Sequence, residues 1–169
     1  MNKNLRITTL ALFIAMAVAL HWMESFIPRP APFLRFGLAN ILTLCTLYYF
    51  GGLWALFVVV SRVVIGSALS GIIFSPAFAL SLCGGVTAAL TMWAMPKRLF
   101  SPIGISVGGA AAHMIAQTVL ASFLIANFSL LHIIPIFLLV SVLTGVINGY
   151  SVKVITEVMG GRLQRVSSP

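Results

Sequence analysis

The residues able to do chemistry in this sequence are few and lie in apolar surroundings. Arg62 sits in the middle of a hydrophobic run, with Val-Val-Val before Ser61 and Val-Val-Ile after it. His113 and Gln117 are four residues apart, so a helix brings them to one face, and Thr144 and Asn148 repeat that spacing further on. Arg35 and Asn40 follow a cluster of three prolines, Pro28, Pro30 and Pro32. Guanidinium, imidazole and carboxamide groups hold carboxylates, phosphates or carbonyls through hydrogen bonds. An arginine at mid-bilayer costs about 2.5–3.5 kcal/mol on insertion scales, and something must offset it. One reading pairs Arg62 with Glu24 or with backbone carbonyls. The other has it facing a hydrated cavity that binds an anionic or carbonyl-bearing ligand. The His113/Gln117 and Thr144/Asn148 pairs are open to a similar choice between ligand contact and helix-to-helix bonding, worth only about 0.6 kcal/mol on average. Asn40, Arg62, His113 and Gln117 come from four different runs, and their convergence would make one pocket, with Arg35 above it.

Bond-breaking chemistry is poorly supplied. The 169 residues contain no Asp, and Glu24 and Glu157 are the two acidic residues. Magnesium diphosphate chemistry draws on clustered carboxylates, and paired-carboxylate acid/base mechanisms need two close together. The sequence therefore predicts no catalytic residue, no metal site and no cofactor. Cys45 and Cys83 lie inside apolar runs without Cys-x-x-Cys or Cys/His spacing, which suits buried thiols better than metal ligands. The net charge of +8 does not point to nucleic acid, because the basic residues stand singly or in pairs at the ends of apolar runs.

The elements that must position these residues are membrane helices. The chain is 60% hydrophobic, and its mean hydropathy is +1.12, far above that of soluble domains. A span needs roughly 20 apolar residues. The sequence predicts a single all-α membrane domain over 1–169, a compact bundle of six transmembrane helices at about 7–27, 36–50, 53–72, 76–95, 104–126 and 135–158. Ala15-Met-Ala17 resembles a signal cleavage site, but a run of this length reads as a retained first span. Ser75 and Ser101, each followed by proline, read as helix starts. The prolines stiffen residues 28–36 into a strap between the first two spans. His21 and Glu24, one turn apart beside that strap, read as interfacial residues, or as a gate or a salt-bridge partner for Arg35.

Charge sets the expected orientation. With the N-terminus inside, Lys3, Arg6, Lys97, Arg98, Lys153, Arg162 and Arg165 are cytoplasmic, while Arg29 and Arg35 lie outside. Both termini are then cytoplasmic and the strap is external, in a multi-pass protein of a prokaryotic plasma membrane. Ala11, Ala15 and Ala19 recur every fourth residue and allow another helix backbone to come close. That helix could belong to this chain or to a separate membrane partner. Gly84-Gly85, Gly108-Gly109 and Gly145-x-x-x-Gly149 read as sites of close helix packing.

The order Pro-x-Pro-x-x-Arg-x-Gly-Leu-Ala-Asn over Pro30 to Asn40, then Arg62, then Phe74-Ser-Pro-x-Phe-x-Leu-Ser-x-x-Gly-Gly85, then Gly109-Ala-x-x-His113-x-x-x-Gln117, resembles the Gx transporter or heptaprenyl diphosphate synthase component I family. Met114 stands where members commonly carry Asn. That family is similar to the substrate-binding S components of energy-coupling factor transporters. The resemblance implies an S-component-like bundle that takes up a small organic molecule, and the converging polar residues Arg35, Asn40, Arg62, His113 and Gln117 are then the expected substrate contacts. It also implies a strap that closes over the ligand, docking through Ala11, Ala15 and Ala19 to a coupling transmembrane subunit, and partner ATPase subunits. The synthase label implies an alternative, a noncatalytic membrane component of polyprenyl diphosphate or quinone metabolism.

Overall fold

A computed structural model of the chain describes residues 3–26 and 37–167. It has six α-helices: α1 Lys3–Met23, α2 Asn40–Tyr49, α3 Gly52–Leu69, α4 Pro76–Ala94, α5 Pro102–Leu124 and α6 Ile134–Ser167. Short 3-10 turns at Glu24–Phe26 and Phe128–Ile133 extend α1 and precede α6. The two serine-proline helix starts form as expected. Ser75 Oγ accepts from the Phe78 amide at 3.3 Å, Ser101 Oγ accepts from the Gly104 amide at 3.2 Å, and a proline follows each cap.

Five helices are long and apolar enough to cross a membrane. The exception is α2. In place of a span over 36–50 it has 10 residues, about 15 Å, half the thickness of a bilayer core. Gly51, with φ 93°, and Gly52 close its far end into a tight turn with α3.

This short helix is the centre of the bundle. It packs against α1, α3, α4 and α6, while α1 packs on α3, α3 on α4, α4 on α5 and α5 on α6 around it. Seven of its ten residues are buried. Leu42, Leu44 and Leu47 meet Phe13 of α1, Val58 of α3 and Ile105 of α5 in an apolar core that fills the half of the bundle nearest the α2–α3 turn. Its threonines bond within their own helix, Thr46 Oγ1 to the Leu42 carbonyl at 2.7 Å, so they are buried with their hydroxyls satisfied. At the same end Lys97, from the α4–α5 loop, donates to the Leu47 carbonyl at 2.8 Å and lies 4.8 Å from the Tyr48 ring centre. Partial desolvation pulls its pKa below the ordinary lysine value.

Outside this core the usual polarity of a protein is inverted. Leu53, Phe57, Leu139 and Leu143 are exposed, whereas Asn40, Arg62, His113, Gln117 and Asn148 are buried. Such a surface suits lipid, and the chain is a multi-pass membrane protein. Between α5 and α6 the backbones approach as the glycine spacing predicts: a Cβ on Gly145 would stand 2.7 Å from the Val107 Cα.

Candidate functional site

The polar residues converge above the apolar core, at the N-terminal end of α2. Arg62 lies ten residues into α3, about 15 Å along an 18-residue helix and thus near its middle. Asn40 opens α2. Because α2 and α3 run antiparallel from their shared turn, the two residues reach the same depth, and Arg62 Nη2 donates to Asn40 Oδ1 at 2.6 Å. Around this bond His21, Glu24, Gly37, Val63, Ser81 and His113 complete the wall of one cavity. Its volume is about 10 Å³, room for roughly one water.

The expected residues divide in three ways. Asn40, Arg62 and His113 come together as read from the sequence. Gln117 is buried beside them but outside the cavity wall, and its Nε2 donates to the Leu80 carbonyl at 3.3 Å. Arg35 and the strap over 28–36 lie outside the described residues.

Of the readings open to His21 and Glu24, the interfacial one is overturned. They are 5% and 4% exposed and face the cavity, so they are not interfacial side chains. The reason is helical register: Phe13, Ala17, His21 and Glu24 share the face of α1 that packs inward, and Gly66 of α3 leaves room for the His21 ring, which a Cβ there would meet at 2.6 Å. That spacing was a usable signal, as was Ser81, one turn before Gly84 on the inward stripe of α4. The same register puts Ala11, Ala15 and Ala19 on the exposed side of α1. Among the described residues no helix of the chain covers that face.

Backbone anchors fix the root of the strap. Glu24 Oε1 accepts from the Leu38 amide, and the Gly37 carbonyl accepts both the Asn40 amide at 2.8 Å and Asn148 Nδ2 at 3.0 Å. Gly37 has φ 71°, a left-handed turn that an L side chain adopts only with strain. Asn148 thus ties α6 to the start of α2, a more specific role than bonding to a neighbouring helix. Thr144 bonds within α6, to the Ser141 carbonyl at 3.1 Å. Asn148→Leu is expected to cost only about 0.5–1.5 kcal/mol of stability, read as a small fall in thermal midpoint in detergent. Its larger effect is expected on ligand affinity, because the segment entering the cavity loses its tie to α6.

Gly84 supports the cavity from behind. A Cβ there would meet Gln117 Cγ at 2.7 Å and the His113 ring at 3.0 Å, so α4 needs glycine for α5 to present both side chains. Gly84→Ala is expected to push His113 off its position and to destabilise the protein by about 1–3 kcal/mol. Thermal unfolding checks the stability loss, and ligand titration should show weaker binding. An unchanged midpoint and affinity would mean that α4 and α5 separate without consequence.

Chemically the side chains gathered here offer hydrogen-bond donors and acceptors. Arg62 and the amide of Asn40 suit carboxylate or carbonyl oxygen, Glu24 adds an acceptor, and the histidines can do either. Among the described residues no group of three His, Cys, Asp or Glu side chains is placed to hold a metal ion.

The comparisons with known proteins bear on the family and the fold. A family model described as heptaprenyl diphosphate synthase component I matches residues 13–155. Among solved structures, the chain is similar to one reported as "Structure and mechanism of the S component of a bacterial ECF transporter", with a TM-score of 0.52 and 18% sequence identity. The match covers 96% of this chain and 99% of that one, so it extends over the whole bundle. No curated protein matches the sequence.

Proposed function

The chain belongs to the heptaprenyl diphosphate synthase component I family, and from that premise we propose that it is the substrate-binding S component of an energy-coupling-factor-type uptake transporter. The observation that carries this reading is the buried cavity of Arg62, Asn40, His21, Glu24 and His113, built at mid-depth in a fold that matches an S component end to end. A structural membrane subunit has little use for an arginine there, whereas a binding protein needs one to recognise an anionic or carbonyl-bearing molecule. The ligand is small, and with about 10 Å³ open the cavity walls must part to admit it.

In this reading both termini are cytoplasmic. Six crossings are counted with the short α2 as the second, and the ligand enters from outside. Arg35 and Asn40 meet it first, while Arg62, His113 and the neighbouring Gln117 fix its polar end. No chemical step on the ligand is assigned to this chain. ATP is hydrolysed by partner subunits, and a coupling membrane subunit docks on the exposed Ala11, Ala15 and Ala19 face of α1. The location in this reading is a prokaryotic plasma membrane, with the end of the bundle richer in Lys and Arg turned to the cytoplasm.

Isolation of the tagged protein from its native membranes tests the assignment. A copurifying ATP-hydrolysing module with a second membrane subunit is expected. Recovery of a prenyltransferase subunit would instead support a noncatalytic role in polyprenyl metabolism, the role that the family description suggests.

A further inference from the structure

We propose that the end of the bundle formed by the α2–α3 turn holds one anionic phospholipid, with its phosphate on Arg6 and an acyl chain against Ile7, Leu10 and Trp54. These four residues line an open cavity of about 270 Å³, far larger than the central one and apolar apart from the guanidinium. The site lies at the opposite end of α1 from His21 and Glu24, and it does not depend on the transport reading.

Position, charge and depth point to this occupant. The Arg6 guanidinium lies 5.8 Å from the ring centres of both Phe50 and Trp54, so two aromatic faces hold it in place. Its N–H groups lie in the guanidinium plane, the geometry that matches a phosphate.

Among the described residues no carboxylate side chain lies beside Arg6. Of the two acidic residues, Glu24 is buried in the central cavity, about 27 Å further along α1, and Glu157 lies 4.0 Å from Lys153. Neither glutamate side chain is placed to serve as its counter-ion, which leaves Arg6 open to an anion from outside.

Depth decides which anion that is. Trp54, Trp93, Tyr48 and Lys97 gather at this end of the bundle, the mixture of aromatic and basic side chains found at headgroup level. At that level lipid phosphate is the abundant anion, and a basic side chain beside it contributes about 1 kcal/mol. Free phosphate would satisfy Arg6 but leave the apolar wall of Ile7, Leu10 and Trp54 uncovered. A phospholipid covers both.

The test uses purified protein in detergent, titrated with dioleoyl phosphatidylglycerol or dioleoyl phosphatidylcholine, with bound lipid counted by native mass spectrometry. The wild type is expected to retain one phosphatidylglycerol with about fivefold preference over phosphatidylcholine. Arg6→Gln should lose the preference, and Arg6→Lys should keep part of it. Ile7→Trp, which fills the cavity, should lose the tightly held lipid of either kind. The proposal is overturned by an undiminished preference in Arg6→Gln, by unchanged retention in Ile7→Trp, or by displacement of the lipid with equimolar inorganic phosphate. Arg6 is exposed and outside the core, so the variants are expected to fold.

Discussion

Arg62→Ala is expected to weaken ligand binding by about 10- to 100-fold while the protein still inserts and folds. A hydrogen bond to a buried charged group is worth roughly 1.5–3 kcal/mol, and each 1.4 kcal/mol is tenfold in affinity. Insertion should not suffer, because removing the charge also removes a cost of about 2.5–3.5 kcal/mol at mid-bilayer. The folded state loses the 2.6 Å bond to Asn40 Oδ1, so a modest fall in thermal midpoint is expected as well. Arg62→Lys separates the two contributions: it keeps the charge but not the planar fork, and should recover only part of the affinity. Isothermal titration of ligand, read beside the thermal midpoints of both variants, checks the result. Unchanged affinity in Arg62→Ala would leave the arginine with a structural role alone.

The second large effect is expected at the opposite face of α1. Ala15→Leu should block assembly with the coupling subunit and leave ligand binding intact. Ala11, Ala15 and Ala19 are exposed, while Phe13, Ala17 and His21 of the same helix point inward, so a larger side chain at position 15 does not reach the cavity. Helix association in membranes depends on close backbone approach, and a leucine in the seam holds the helices apart. Overpacking of about 1–3 kcal/mol corresponds to roughly 5- to 150-fold weaker association. Copurification measures the assembly and ligand titration the binding. Survival of the complex would show that docking uses another face.

The contrast between these two positions shows what the sequence could and could not say. The convergence of Arg62 and His113 on one buried cavity was legible because a polar group inside an apolar run has few uses. The helix starts at Ser75 and Ser101 were legible because capping is local chemistry. The direction of the alanine stripe was not. In a membrane protein a face against lipid and a face against another helix are equally apolar, so hydropathy does not separate them. His21 and Glu24 were left between an interfacial reading and an inward one for a related reason: near the end of a span, polarity signals interface, and the register set by Phe13 and Ala17 shows that both turn inward. The end of α2 was legible at Gly51-Gly52; its further shortening lies at the start, where Gly37, with φ 71°, holds a turn that delays the helix to Asn40. Gln117 was placed on the right face but one step from the cavity, since side-chain reach is not written in spacing.

The most direct test of the binding cavity is mass spectrometry of the small molecules released on denaturing the purified protein, with Arg62→Ala prepared in parallel. A stoichiometric anionic or carbonyl-bearing compound is predicted from the wild type and should be depleted at least tenfold from the variant. Equal amounts from both proteins, or no compound from a wild type shown to be folded, would contradict a substrate site at Arg62.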